Sequence, residues 1–383
     1  MKLGELCLLF TDGDWIESKD QSDSGIRLIQ TGNIGNGEFL YKNDKAKYIS
    51  EDTFKRLNCT EVFPDDILIS RLPEPVGRGC IIPDIGERMI TAVDCTICRV
   101  NEKLIDRKYF CYFLESNTYK TQLEQHVTGT TRKRISRKNL SGVEIDIPEQ
   151  AKQKEIVYKL DRVKKIIRNY NGELDLLDEA VRARFVEMFG NPVTNDMLWN
   201  IDVLKDICTK IGSGSTPRGG KESYIDEGIS LIRSMNVHNA YFEYKDLAHI
   251  TLDQAEKLNN VVVEYDDLLF NITGASVARC CVVPSDVLPA RVNQHVCILR
   301  CREKINPIFL QGLLVNENYQ GKLLQIAKSG ATREAINKQQ LESLEIMIPP
   351  LELQNQFASF VKEIDKSRLL SNHSLFLIKS IIF

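Results

Sequence analysis

A chain of 383 residues is long enough for two or three domains, each with its own buried core. Its 43% hydrophobic and 27% charged content is ordinary for a soluble protein, and a net charge of −3 excludes a chain that is basic all over, so any nucleic-acid surface has to be local. No apolar run reaches ~18 residues and no basic segment with an apolar core opens the chain, so neither a membrane span nor a signal peptide is expected, and its 11 cysteines read as reduced cytosolic thiols.

Residues 1–149 read as a mixed α/β domain. Short apolar runs bounded by turn signals predict strands: IRLIQ at 26–30, DILIS at 66–70, GCIIP at 79–83 and CTICRV at 95–100. The stretch 106–125 is amphipathic and predicts a helix. Residues 148–153 carry Pro and Gln and form a joint to a long helix over 150–192. Ile156, Leu160, Val163, Ile167, Tyr170, Leu174, Leu177 and Val181 follow one another at alternating steps of 4 and 3. That is a heptad seam, which needs a partner helix. About 38 residues at ~1.5 Å each make a rod of roughly 57 Å. Gly190 and Pro192 stop it. Residues 193–349 read as a second α/β domain, with VVVEYDDLLFN, RCCVVP and HVCILR as strands and 306–327 as helix. A second joint at 349–354 leads into a C-terminal long helix, 350–383.

The two halves are copies. At a constant offset of 201, DDILIS at 65–70 meets DDLLFN at 266–271, Arg78, Cys80 and Pro83 meet Arg279, Cys281 and Pro284, and Gln153 meets Gln354. Gly129, Thr131, Arg132 and Ile135 meet Gly330, Thr332, Arg333 and Ile336. A two-residue slip sits where GIRLIQTGNI at 25–34 meets GISLIRSMNV at 228–237, and it is undone before Tyr48 and His249. The seam recurs as Phe357, Val361, Ile364, Leu375, Ile378 and Ile382, interrupted by Arg368 and Ser371. The first seam runs to the equivalent of position 391, beyond Phe383, so a partner is expected to cover the far end of the helix pair.

Candidate DNA contacts lie where basic and amide side chains follow turns. GTTRKRISRK at 129–138 presents Thr130, Thr131, Arg132, Lys133, Arg134, Arg137 and Lys138, and its copy keeps Thr332, Arg333 and Lys338. Such groups reach phosphates or guanine edges, although a solvated loop has the same composition. GSGSTPRGGK at 212–221 fails the phosphate-loop pattern, since Ser215 stands where Gly is needed and Glu222 follows the Lys. It reads instead as a loop offering Thr216, Arg218 and Lys221 to DNA, or as a plain surface turn. Gln30, Thr31 and Asn33 follow the first strand, and Arg233, Ser234, Asn236 and His238 follow its copy. These segments differ between copies where the scaffold agrees, as do Ser70-Arg71 against Asn271-Ile272-Thr273, and Asp94 against Gln294-His295. Two domains reading different sequences would differ in this way, and so would an unused surface. Arg78 and Arg279, in register, join the candidates. Cys95-x-x-Cys98 and Cys297-x-x-x-Cys301 fall in predicted buried strands without a His pair at zinc spacing, so no metal is expected. No methyltransferase loop, GxSxG or HExxH is present.

GISLIRSMNV, DDLLFNITGASVARCCVVP, the SGATREAIN turn and IMIPPLELQNQF, in this order and duplicated, resemble the specificity (S) subunits of type I restriction–modification systems. The resemblance implies two target recognition domains, separated by a pair of long antiparallel coiled-coil helices about a pseudo-two-fold axis. Each domain would read half of a split site in double-stranded DNA. The helices would act as spacer and as the docking scaffold for methyltransferase (M) subunits, with restriction (R) subunits joining the larger complex. The chain itself would be non-catalytic and cytoplasmic, with S-adenosylmethionine, ATP and Mg²⁺ belonging to the partners. Two other classes stay open on the residues alone: a nuclease or methyltransferase whose active site is not visible in sequence, and a coiled-coil interaction scaffold.

Overall fold

The strands lack polar alternation because both of their faces are covered. In the computed structural model, which describes residues 1–382 apart from 218 and 329–333 and gives only the backbone at 221 and 379–382, Ile67, Leu68, Ile69 and Ser70 are all fully buried. Ile67 and Ile69 face a core with Leu3, Phe110, Leu114 and Tyr119. Leu68 faces another, with Ile29, Cys80 and Ile97. A two-sided strand requires such a continuous apolar run. The first domain therefore has three layers. Helices cover one face of an antiparallel four-stranded sheet in the order Cys7–Asp12, Cys95–Val100, Ile67–Ser70, Gly79–Ile81. A five-stranded sheet, Gln21–Ser22, Tyr48–Ile49, Ile26–Ile29, Met89–Thr91, Glu61–Val62, covers the other.

The second domain repeats this registration. Ile67 pairs with Ile81 and Cys98, and Leu268 pairs with Val282 and Leu299 at the same offset. The slip is visible as pairing: Leu28 lies against Ile90 but Leu231 against Arg291, so one strand is displaced by two positions and its neighbour is not. The doubled Asp also acquires a reason. Asp65 and Asp266 adopt positive φ (74° and 64°), which Asp tolerates in a turn. Asp66 and Asp267 are buried, each held by an arginine one strand away, Arg99 and Arg300, at 2.8 Å. The carboxylates also accept the Phe63 and Glu264 N–H groups, at 2.9 and 2.7 Å, so neither buried charge is left unpaired.

The stretch expected as one helix over 106–125 is two, Arg107–Glu115 and Asn117–Glu124. Ser116 leaves the helical region (φ −71°, ψ 153°), and its hydroxyl accepts the Tyr119 N–H at 3.2 Å, capping the second helix. The copy breaks likewise at Asn316, between Pro307–Val315 and Glu317–Lys328. The sheet cysteines are apolar filling. Cys95 and Cys98 belong to opposite faces and separate cores. Burial pushes the thiols of Cys80 and Cys281 up to about 12 and that of Cys95 to about 11, so all three are protonated at neutral pH. Among the described residues, no group of three or more His, Cys, Asp or Glu side chains could hold a metal ion.

The heptad stretch folds as one helix, Gln150–Phe189, and its copy as Leu351–Ile382. The chain divides into two compact units, Met1–Asn169 with Leu375–Phe383, and Tyr170–Ser374, so the boundary falls inside both helices. All the seam residues from Ile156 to Val181 are half-buried, and most positions between them are exposed. In the second unit the seam continues past Val181 into Phe185 and Phe189, which are fully buried against Phe309 and Phe357 with ring centroids 4.8 to 5.9 Å apart. The interruption has a partner set of its own. Arg368 pairs with Asp178, and the Ser371 hydroxyl donates to Glu173 at 3.4 Å. Residues 173, 178 and 185 thus meet 371, 368 and 357 in reverse order, so the two segments within this unit are antiparallel. The side chain of Ile382, expected to end the seam, lies outside the described residues.

One glutamine fastens each domain to the helix that follows it. Gln354 is fully buried; its Oε1 accepts the Asn306 N–H at 2.9 Å, and its Nε2 donates to the Pro349 carbonyl at 2.8 Å. Gln153 does the same with Asp106 and Pro148, at 2.7 and 2.9 Å. Replacing Gln354 by Ala strands a buried N–H and a buried C=O, each costing about 1–3 kcal/mol. We predict that Gln354→Ala lowers the urea midpoint of the second unit accordingly. An unchanged midpoint would show that water replaces the amide without loss.

Candidate DNA interface

The basic turn of the first domain is a tip closed at its base. Thr128 and Arg134 exchange backbone hydrogen bonds, both 2.9 Å, so residues 129–133 project between them. Gly129 has φ +96°, and a Cβ there would meet the Arg132 carbonyl oxygen at 2.5 Å, so the turn requires glycine. Thr130, Thr131, Arg132, Lys133 and Arg134 are all exposed. Lys133 is paired with Glu74 at 2.9 Å, which leaves Arg132 and Arg134 as the guanidinium groups presented outward. Behind the tip, Arg71 braces it. The guanidinium donates to the carbonyls of Ile135 and Val93, at 3.3 and 2.6 Å, and its Nε lies 3.1 Å from the Asp12 carboxylate. Arg137 donates to Thr11 at 3.2 Å and lies 3.9 Å from Asp12. Asp12 has no local signal in sequence and emerges only from the pairing of its strand with Cys95–Val100.

Other candidates are turned inward. The Ser70 hydroxyl is buried and donates to the Leu72 carbonyl at 2.7 Å. Arg78 donates to four carbonyls, those of Thr31, Ile34, Pro73 and Pro75, at 2.7 to 2.9 Å, and so shapes two loops at once. Asn33 accepts the Gln30 N–H and donates to the Leu40 carbonyl, both at 2.9 Å. Asn236 repeats this with Arg233 and Glu243, at 3.1 and 2.9 Å. Both asparagines are buried and hold the loop that follows a strand, while Gln30 and Thr31 stand half-buried on it. Asn271 is fully buried and donates to the Ser234 carbonyl at 2.9 Å. Arg233 bonds the Asp246 carbonyl and lies over the Tyr224 ring at 5.5 Å.

The remaining candidates of the second domain converge. Ser234, His238, Thr273 and Arg279 line one open cleft of about 460 Å³, together with His295. His238 stacks on Tyr241 with centroids 4.6 Å apart, and its Nδ1 lies 3.5 Å from Arg279 Nη1. Thr273 Oγ1 lies 2.6 Å from His295 Nδ1, and Gln294 joins His295 to Thr216. Thr216 is carried there by a close approach of backbones: a Cβ on Gly214 would stand 1.7 Å from the Val292 carbonyl oxygen. Arg218, Thr332 and Arg333, and the Lys221 side chain, lie outside the described residues. Among the described residues, no helix is long and apolar enough to cross a membrane.

A duplicated three-layer α/β domain, each copy fastened to a long helix and carrying polar and basic loop groups, defines a protein with two recognition modules. The type I restriction modification DNA specificity domain matches residues 1–178 and again 198–378, and the chain belongs to that family. It is 23% identical over 364 residues to a putative type I restriction enzyme MjaX specificity subunit of Methanocaldococcus jannaschii, covering 90% of this chain and 78% of that one. It is 20% identical over 372 residues to the EcoKI specificity subunit of Escherichia coli, covering 89% and 76%. Its fold is similar to the type I S subunit from M. genitalium (TM-score 0.57, 13% identity, 100% of this chain and 93% of that one). It is also similar to a chain from a type I R-M system solved for its complex assembly and conformational transition (TM-score 0.58, 16% identity, 100% and 94%).

Arg132 and Arg78 of the first domain are expected to respond differently. If Arg132 contacts a phosphate, Arg132→Ala weakens DNA binding and lowers the slope of log K against log salt by about 0.9. Arg78→Ala leaves that slope alone and lowers thermal stability, since four carbonyls lose their donor. Equal slopes for Arg132→Ala and the parent protein would remove the tip from the phosphate interface.

Proposed function

We propose that this chain is the DNA-reading subunit of a type I restriction–modification complex, each globular domain reading one half of a bipartite site. The observation that carries this reading is the contrast between copies. The scaffold residues agree at a fixed offset: Asp66 and Asp267, Arg99 and Arg300, Gln153 and Gln354 make the same bonds. The residues of the polar loops do not: Arg71 faces Asp12 where the second domain has Ile272, and Asp94 stands where the second domain has His295. A module kept for its frame and varied at its loops can read two different half-sites from one chain. The repeated unit suits the local dyad of duplex DNA, as in dimeric regulators, without requiring identical half-sites.

The chain performs no bond-making step of its own in this reading. Exposed guanidinium and hydroxyl groups position the phosphates and the cleft groups meet base edges, while the long helices serve as spacer and as the docking surface for M subunits. R subunits join through that assembly. S-adenosylmethionine, ATP and Mg²⁺ belong to those partners, and the complex works on DNA in the cytoplasm.

Recognition is then modular. Replacing 1–149 by the corresponding domain of another such subunit, and mapping methylated sites genome-wide in a strain carrying the M subunit, should change one half of the motif only. Changes in both halves would show that the domains do not read independently. The spacer role has its own test. Four residues inserted near Gly172 add ~6 Å of helix and rotate the distal segment by ~40°. An assembled variant should methylate sites whose gap is one or two base pairs longer with both halves unchanged. An assembled variant with the original gap would assign the spacing to something else.

A further inference from the structure

The second domain's cleft contains a hydrogen-bond chain with a fixed direction. The Thr216 hydroxyl donates to Gln294 Oε1. The Gln294 amide nitrogen lies 3.2 Å from His295 Nε2 and donates to it. An imidazole nitrogen that accepts a hydrogen bond carries no proton, so the neutral ring holds its proton on Nδ1. Nδ1 lies 2.6 Å from Thr273 Oγ1 and donates to it. Thr273 is thereby used as an acceptor on its inner side, and its own hydroxyl proton is left for the cleft. Both ends of this contact are held by backbone: the His295 N–H donates to Asn293 Oδ1 at 3.0 Å, and Thr273 is bridged to Ala335.

Arg279, which also lines the cleft, adds donors of its own. The Arg279 guanidinium makes one long contact, 3.5 Å to His238, among the described residues, whereas that of its counterpart Arg78 is bound by four carbonyls. Among the described residues its guanidinium keeps N–H groups to offer. The Thr273 hydroxyl and the Arg279 guanidinium therefore both present donors to the open cleft of about 460 Å³, and Gln294 is bonded to His295 on its wall. In the first domain Leu72 and Asp94 stand where the cleft has Thr273 and His295, and beside them Asp12 is paired with Arg71 and Arg137 and accepts the Thr96 hydroxyl at 2.9 Å.

A donor-rich wall is complementary to a base edge made of acceptors. In the major groove guanine presents two, N7 and O6, whereas adenine places a donor beside its acceptor and thymine offers one oxygen beside a methyl group. We propose that this cleft reads a guanine in the half-site of the second domain. Arg279 and Thr273 contact the base, and His295 and Gln294 are positioning residues that fix which way the Thr273 proton points. The proposal rests on the DNA-reading function above and adds to it which residues discriminate, and what they discriminate for.

The test uses the full chain assembled with its M subunit. The methylation map of the parent complex comes first: if it contains no bipartite motif, the DNA-reading function itself fails. Given such a motif, the domain exchange identifies the half read by residues 193–349. That half should contain a G·C pair, and a half without one overturns the guanine assignment. Thr273→Val keeps shape and removes the hydroxyl, and Thr273→Ser keeps the hydroxyl. Methylation rates on duplexes substituted at the G·C position should show discrimination falling by about 10- to 100-fold for Thr273→Val and staying near the parent value for Thr273→Ser. His295→Phe should lose discrimination in the same way, and His295→Asn, whose side-chain amide can replace the Nδ1–H donor, should restore part of it. The first half of the motif should stay unchanged throughout. Rates that fall equally on all duplexes, with discrimination intact, would make the chain a structural brace and overturn the proposal. So would full discrimination in both Thr273→Val and His295→Phe.

Discussion

The attachment of each domain to its helix depends on a buried side-chain amide. Gln153 and Gln354 sit just inside the long helices, nearly or wholly removed from solvent, and each ties the start of its domain's helical layer to the proline carbonyl that precedes the rod. An amide carries a donor and an acceptor at fixed geometry, so it can satisfy one buried N–H and one buried C=O together. A carboxylate would lack the donor and an aliphatic residue would lack both. With this fastening in place, the orientation of the sheets on the rod within each unit is set by bonds that do not vary between copies.

Around that common fastening the two joints differ in chemistry. The first uses polar contacts. Tyr112 donates to Asp161 at 2.6 Å, and Lys164 pairs with Glu115 at 2.6 Å and lies 4.7 Å from the centre of the Tyr112 ring. The second uses Phe185, Phe189, Phe309 and Phe357, all fully buried. Truncating a buried Phe typically costs about 3–5 kcal/mol, whereas exposed ion pairs contribute about 0–1 kcal/mol. The aromatic joint is therefore the more strongly stabilised of the two. In the first joint Glu115 is buried, so removing Lys164 would strand a buried charge, which is where that pair matters most.

Much of this architecture was legible in the sequence, and the reasons are physical. A constant offset of 201 records a shared backbone register, and the pairings of the four-stranded sheet keep it pair for pair. The heptad steps marked the rod because a seam buries one stripe of a helix. The functional side chains were harder to read, because residue type does not tell which way a polar group faces. Ser70, Arg78, Asn236 and Asn271 have the composition of a binding surface, yet they are bonded to carbonyls inside the fold. Asp12, Gln294 and His295 reach their places only through sheet pairing and a close backbone approach at Gly214, which no local motif announces. The difference between copies at Asp94 and His295 was the one available signal.

The central claim is that one chain contributes two separate reading modules. The most direct measurement is a hydroxyl-radical footprint of the chain, assembled with its M subunit, on a duplex carrying its site. Two protected patches flanking an unprotected gap, with the Arg132→Ala variant losing protection in one patch only, is the predicted result. A single continuous patch, or loss of both patches together, would contradict it.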